Sequence, residues 1–308
     1  MSGVDRRAFL GAAAAAGIGA ASSEANQNVE NPTPEPPSDP PPAPPMVTLG
    51  QTGIRTTRLA QGTGVKGGKR QSSQTRMGFD RFVPLIKHAY DRGIRFFDLA
   101  DLYGTHVYFR EALRSMDRDA ITILTKLWWR YDGPEANTSA AHRKQIVRST
   151  LERFCHELTT DRIEIVLLHC LTDPMWNERM EPYFEALDEA KQSGQVRAVG
   201  VSCHDFGALK TAATSPWVEL ILARINPEGV IMDASPDEVN AVLAQAKASG
   251  KTIVGMKIFG EGRLVDQRDR CMQYAQSRDY LDAMTIGFEQ PDQIDDTLRL
   301  MAKHPAVS

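Results

Sequence analysis

From Thr57 onward the chain alternates between two hydrophobic patterns. Short, nearly continuous apolar runs occupy 57–62, 95–100, 122–127, 163–169, 198–203, 220–226, 252–258 and 283–287. Runs of this length read as strands of a parallel sheet that is buried on both faces. Stretches with apolar residues every three or four positions occupy 79–92, 107–115, 141–157, 181–193, 206–213, 236–249, 268–277 and 292–303. That period belongs to helices with one buried face. Gly93, Gly194 and Gly250 follow three of the helices as C-terminal caps, and Ser235-Pro236 supplies an N-cap followed by a first-turn proline. Eight strand–helix units predict an α/β fold, a single-domain (β/α)8 TIM barrel. No GxGxxG follows the first strand, which disfavours an open dinucleotide-binding sheet.

Composition narrows the picture. The chain has 308 residues, 42% of them hydrophobic, enough for one barrel-sized core, and its formal net charge of −3 comes with no basic stripe, so no nucleic-acid partner is expected. Cys155, Cys170, Cys203 and Cys271 are widely spaced without a CxxC pair, which argues against a disulfide framework or a zinc site and for small buried hydrophobes. The first 45 residues lie outside the barrel pattern. Arg6-Arg7-Ala8-Phe9-Leu10 precedes an uncharged Ala/Gly-rich stretch ending near Ala21 that is too short and too weakly apolar to span a bilayer. A paired arginine before a mild apolar region is the pattern of a twin-arginine export signal, here with Asp5 and Gly11 at flanking positions that usually carry Ser or Thr and Lys. The expected organisation is a signal over 1–25 cleaved near Ala21 or Ala25, a proline-rich linker over 26–45 and the barrel over 46–308. On this reading the protein engages the twin-arginine export machinery, is exported to the periplasm or another extracytoplasmic space, and keeps no stable membrane anchor after cleavage. Residues 32–45 hold nine of the 18 prolines and predict an extended spacer.

The chemistry sits at strand ends. Asp98 and Tyr103 follow the second strand in RFFDLADLYG, Lys126 ends the third in ITILTKLWW, and His169 ends the fourth in IEIVLLHC. In a closed barrel these ends share the face that carries catalysis. Hydride reduction of a carbonyl needs a proton on the oxygen as it gains charge. Tyrosine, with an ordinary pKa near ~10, needs help to act as acid and base near neutrality. Lys126 is placed to lower that pKa, Asp98 to hold Lys126 charged, and His169 to hydrogen-bond the carbonyl. Taken singly, Asp98 could cap a helix, Tyr103 pack in the core, Lys126 lie at the surface and His169 be structural. Taken together on successive strands, the four resemble the tetrad of the aldo-keto reductase family, over the chain from about Met46 to its end. The resemblance implies these same roles, an NAD(P)(H) cofactor, a short hairpin around Gly50–Gly53 closing the barrel bottom, and a site left open where the chain stops soon after the eighth helix.

On the cofactor side the resemblance assigns Gly62 and Thr63 to the nicotinamide ribose and Ser202 to the carboxamide. Three positions depart from the family: Cys203 replaces an asparagine, Leu222 a glutamine, and Met256 the ring that stacks on nicotinamide. Lys257, Phe259, Gly260, Gly262 and Arg263 form a turn whose amides and cations could meet the pyrophosphate, and Gly287 closes the eighth strand. Glu289 and Asp292 stand where NADP-preferring members carry cations, so NAD is somewhat favoured over NADP. His106, Trp128, Trp129 and Trp176 are candidates for the wall of the substrate pocket. No metal is expected. The sequence thus predicts an exported NAD(P)-dependent oxidoreductase acting on a small-molecule carbonyl (aldehyde, ketone or sugar-like) or the corresponding alcohol. The alternative is a weakened nucleotide-binding or scaffold barrel.

Overall fold

The computed structural model describes residues 39–129 and 138–307. The expected signal and most of the linker lie outside these residues. Within them, β1 (Met46–Thr48) and β2 (Arg55–Thr57) form an antiparallel hairpin. Eight parallel strands then close a barrel: β3 (Leu59–Gly62), β4 (Phe96–Asp98), β5 (Thr122–Leu127), β6 (Ile163–Leu171), β7 (Val196–Cys203), β8 (Leu220–Arg224), β9 (Thr252–Met256) and β10 (Ala283–Gly287). Each pairs with the next, and β10 pairs with both β9 and β3. The helices around it are α1 (Ser73–Arg76), α2 (Phe79–Asp91), α3 (His106–Leu113), α4 (Ala140–Leu158), α5 (Trp176–Arg179), α6 (Glu181–Gln192), α7 (Phe206–Thr214), α8 (Pro236–Ala248), α9 (Arg268–Gln276) and α10 (Pro291–Lys303). Every predicted strand–helix unit is present, and none of the described helices is long and apolar enough to cross a membrane.

Two cores follow from strand parity, since successive side chains face opposite sides. Ala60, Phe96, Leu124, Ile165, Leu167, Ala198, Leu220, Leu222, Val254 and Ala283 fill the barrel, with Leu49 and Ile54 of the hairpin plugging its floor. The intervening residues, such as Phe97, Ile123, Val166, Val201 and Ile253, face outward and pack against the helices. Local signals behave as expected: Ser235 and Glu238 make a capping box on α8, and Gly93, Gly194 and Gly250 take positive φ after their helices.

The domain starts earlier than the proline content suggests. The compact unit begins at Pro40, Pro41 and Pro44 are buried, and the Pro45 carbonyl accepts a hydrogen bond from the Arg58 amide at 2.8 Å. The end of the proline run is therefore packed against the barrel, because proline rings are apolar and a run of them needs no amide partners.

Candidate active site

The inward positions at the C-terminal ends of the strands form one layer. By parity it holds Gly62, Asp98, Lys126, His169, Ser202, Arg224, Met256 and Gly287 in turn around the barrel. Asp98 and Lys126 are almost fully buried and joined by an ion pair. The second Asp98 oxygen accepts from Thr285 Oγ1 at 3.0 Å, and Lys126 Nζ also donates to the Leu99 carbonyl at 2.9 Å. After β4 a 3-10 turn, Asp101–Tyr103, ends at Gly104 with φ 65° and brings Tyr103 above this pair. Lys126 Nζ lies 4.8 Å from the Tyr103 ring centre. Across the site the His169 ring stands edge-on to Tyr103, centroids 5.6 Å apart. The structure brings all four predicted residues together.

Their proton affinities differ from the expectation in one respect. Burial pushes the Tyr103 phenol well above its ordinary value, and the Asp98 charge adds to the effect. Lys126 does not offset this, because its charge is spent on Asp98 and burial lowers its own pKa. Tyr103 is therefore held as the neutral phenol, a proton donor. Burial, with Lys126 and His204 nearby, holds His169 well below the usual histidine range. A neutral imidazole donates from only one ring nitrogen. Its Nδ1 is buried with no hydrogen-bond partner among the described residues.

Parity also sorts the cofactor candidates. Ser202 faces inward, fully buried, and its Oγ accepts from the Cys170 amide at 2.9 Å. Cys203, the next residue, must face outward and belongs to the core beneath the helices, so it does not take the place of the expected asparagine in the site. Thr63 likewise turns out of the mouth: its hydroxyl bonds the Asp98 carbonyl at 2.9 Å and Thr105 Oγ1 at 3.0 Å. Leu222 lies one layer down, and the top inward side chain on β8 is Arg224, ion-paired with the buried Asp233. Met256 faces inward at the top of β9, and Gly287 ends β10. In the turn after β9 the amides of Gly260, Gly262 and Arg263 bond the carbonyls of Lys257, Phe259 and Gly260, so these three are committed within the turn. Phe259 packs against the outer core, Lys257 pairs with Glu261 at 2.8 Å, and Arg263 is exposed.

Two of the four pocket-wall candidates border the site. Trp128 stands edge-on to His169 at 6.0 Å, and Trp129 donates its indole N–H to the His169 carbonyl at 3.1 Å. The other two do not. His106 sits behind the barrel wall with Nε2 on Thr125 Oγ1 at 2.8 Å and Nδ1 on Glu157 at 2.7 Å; Thr125 is an outward position of β5. Trp176 is 2% exposed and donates to the Ala208 carbonyl between α5 and α7, so it is core. Sequence reasoning missed Thr285, Arg224 and the Cys170–His204 contact, 3.6 Å from Sγ to Nε2. Counting by twos back from Gly287 and up from Leu222 finds the first two. A cavity of about 510 Å³ opens at the other end of the barrel, beside Gln51 and Lys251, but the Lys251 ammonium there is spent on the carbonyls of Ser215 and Val218.

Comparison with known proteins agrees with this geometry. An oxidoreductase of Bacillus subtilis is 33% identical over 129 residues, 39% of this chain and 42% of that protein. A methylglyoxal reductase of Escherichia coli O157:H7 is 26% identical over 194 residues, 61% of this chain and 65% of the other. The chain spans about half the length of the curated relatives it matches. Among solved structures, the holo form of an aldo-keto reductase from Bacillus halodurans superposes with a TM-score of 0.65 at 18% identity, covering 85% of this chain and 92% of that one, a likeness of fold. The aldo/keto reductase family model matches residues 58–307, which is the whole barrel, and the chain belongs to that family.

Proposed function

We propose that the protein is an NAD(P)(H)-dependent oxidoreductase that reduces the carbonyl of a small molecule, or oxidises the matching alcohol, with Tyr103 as the proton-transfer residue. The observation that carries this reading is the buried Asp98–Lys126 pair under Tyr103. A buried ion pair is at best weak support for a fold, and an apolar layer would serve the barrel as well or better. A scaffold has no use for it.

When bound, the reduced nicotinamide supplies a hydride to the carbonyl carbon. Gly62 and Gly287 end neighbouring strands, and Ser202 lies at the end of the strand across the mouth from them. Ser202 would hold the carboxamide, Met256 would lie against the ring, and Arg263 and Lys257 would face the phosphates once Lys257 leaves Glu261. His169 orients the carbonyl oxygen through a ring N–H. Tyr103, kept protonated by burial, gives its proton to that oxygen, and the Lys126 ammonium, held in place by Asp98, is the cation beside the tyrosinate that remains. In the oxidation direction the same proton returns. Nicotinamide fluorescence during titration, followed by turnover of aldehydes by the wild type and Tyr103→Phe, tests the reading. It predicts intact binding and a loss of turnover by at least ~100-fold; equal turnover would overturn it.

Two finer statements belong to the same proposal. Glu289 and Asp292 at the start of α10 favour NADH, and NADPH binding tenfold tighter than NADH would reject this. The Arg6-Arg7 pair directs export of the folded barrel, a route that can carry a cofactor loaded beforehand. Fractionation of cells expressing the full chain tests it: Arg6→Lys with Arg7→Lys should keep the protein in the cytoplasm, and unchanged export would refute the assignment.

A further inference from the structure

The connection from β3 to α1 roofs the active-site tyrosine. A Cβ added to Gly64 would lie 2.3 Å from Tyr103 Cζ, and one added to Gly67 would lie 2.5 Å from Tyr103 Cδ1. The backbone of this loop therefore rests on the Tyr103 ring. It is held shut by several bonds: Gly68 and Gln71 exchange backbone hydrogen bonds, Ser73 N donates to the Val65 carbonyl at 2.8 Å, and Arg70 pairs with the buried Asp101 at 3.2 Å.

The distribution of residues in the loop is unusual. None of Gly64, Gly67 and Gly68 has a positive φ, whereas Lys66 (49°), Lys69 (52°) and Arg70 (57°) do. Left-handed backbone costs an ordinary residue roughly 1 kcal/mol or more relative to glycine. The loop thus uses its glycines where Tyr103 comes close and places cations at the strained positions. Arg70 has a structural reason, its pair with Asp101. Lys66 and Lys69 are exposed and have no carboxylate within ion-pair distance among the described residues. The acids bordering the tetrad are already matched, Asp98 by Lys126, Asp101 by Arg70 and Arg153, and Glu261 by Lys257. The roof therefore brings uncompensated positive charge to the edge of the site.

We propose that Lys66 and Lys69 select substrates whose reacting carbonyl is carried on an anion, a carboxylate or phosphate ester, by pairing with that anion while the carbonyl lies between Tyr103 and His169. The proposal rests on the oxidoreductase reading and names its substrate class. The test compares kcat/KM for 4-carboxybenzaldehyde with its neutral methyl ester, and for glyceraldehyde 3-phosphate with glyceraldehyde, in the wild type and in the double variant Lys66→Asn, Lys69→Asn. Asparagine accepts left-handed backbone, so the loop keeps its shape. The expected result is preference for the anionic member in the wild type and an approximately tenfold loss of that preference in the variant, with the NADH Kd within twofold. The pair that shows the larger loss identifies carboxylate or phosphate as the anion. A second readout needs no turnover: quenching of Trp128 and Trp129 fluorescence by terephthalate should weaken about tenfold in the variant, while quenching by terephthalamide should not. Selectivity and quenching that are the same in both proteins would overturn the proposal and leave the oxidoreductase reading standing. A shift of the NADH Kd with unchanged substrate selectivity would also overturn it, assigning the lysines to the cofactor. Lysine-dependent quenching without reduction of any aldehyde would uphold the anion site and reject the oxidoreductase reading.

Discussion

Replacing Lys126 by methionine gives a sharp test of the buried pair. The Lys126 side chain is 1% exposed and that of Asp98 9%, so removing the ammonium leaves a carboxylate in the barrel with Thr285 Oγ1 as its remaining side-chain partner. Breaking a buried pair from one side costs about 3–5 kcal/mol. For a domain of this size each kcal/mol is worth roughly 2–4 °C, so Lys126→Met should melt about 6–20 °C lower. Adding Asp98→Asn removes the stranded charge and keeps a hydrogen-bonding partner for Thr285. The double variant should recover most of the loss, ending within about 1–2 kcal/mol of the wild type. Urea unfolding of the four proteins of this cycle, followed by circular dichroism, measures both quantities. Turnover should be lost in both variants, so stability and activity separate in the double variant. A single variant within about 1 kcal/mol of wild type, or a double variant worse than the single, would refute the idea that the pair is a buried cost borne for chemistry.

Further outcomes follow from the site and its surroundings. Burial, with Arg224 next in effect, lowers His204 to about 3, and His169 is also well below its usual range. Both are neutral when folded and take up protons when unfolded below pH ~6.5, so stability should fall as pH drops from 6.5 to 5, approaching ~1.4 kcal/mol per pH unit for each histidine. Chemical denaturation across that window should show a shallower slope in His204→Asn, and an unchanged slope would contradict the burial of this ring. Burial would raise Glu157, but hydrogen bonds from His106 and Arg153 hold it down to about 2; its stabilisation is present above the unfolded value and is lost only as pH falls from about 4.5 toward 2, which keeps the two windows apart. Trp176→Ala should cost about 3–5 kcal/mol as a core cavity without changing the affinity for aldehydes. Trp128→Ala should do the reverse, raising KM with little change in melting temperature; thermal melts and kinetics on both variants check this.

The eight units were legible because a buried parallel strand and an amphipathic helix leave different periods in the chain. The tetrad was legible for a related reason: a charged or aromatic residue at the end of an apolar run has few uses other than at the barrel mouth. The errors have a common physical source. The resemblance places Thr63 and Cys203 in the site beside Gly62 and Ser202, yet adjacent strand residues face opposite sides. The resemblance aligns Leu222 with the family's glutamine, whereas Arg224, two residues on, holds the top of β8. His106 and Trp176 lie in helices near the mouth, where proximity in sequence does not say which way a side chain turns. Pro41 and Pro44 belong to the packed domain, but a proline run carries no period that would reveal a buried side. The roles of Gly64 and Gly67 were invisible for a different reason, since a glycine required by a close approach looks like any loop glycine until the approaching group is known.

The strained backbone of the molecule is not spread evenly. Eight non-glycine residues have positive φ among the described residues, and Thr159 is the one that follows a helix, where it caps α4. The other seven, Lys66, Lys69, Arg70, Cys170, Ile231, Lys257 and Glu261, lie at or beyond the C-terminal ends of β3, β6, β8 and β9. The Asp98–Lys126 and Arg224–Asp233 pairs are at the same end, although Arg58, Glu164 and Lys251 are buried at the opposite ends of β3, β6 and β9, so the strain marks the mouth more sharply than buried charge does. Strain and buried charge persist only where surrounding structure over-determines them, and neither is needed to close a barrel. Cys170 illustrates the point. Parity would turn it outward beside His169, but its φ of 58° and the register shift between Leu168 and Leu171 bring the thiol to His204 and its amide to Ser202 Oγ. The irregularity links the end of β6, which carries His169, to the end of β7, which carries Ser202. The carbonyl-orienting role proposed for His169 and the carboxamide contact proposed for Ser202 are thereby linked through Cys170, so a change at Cys170 should disturb both together.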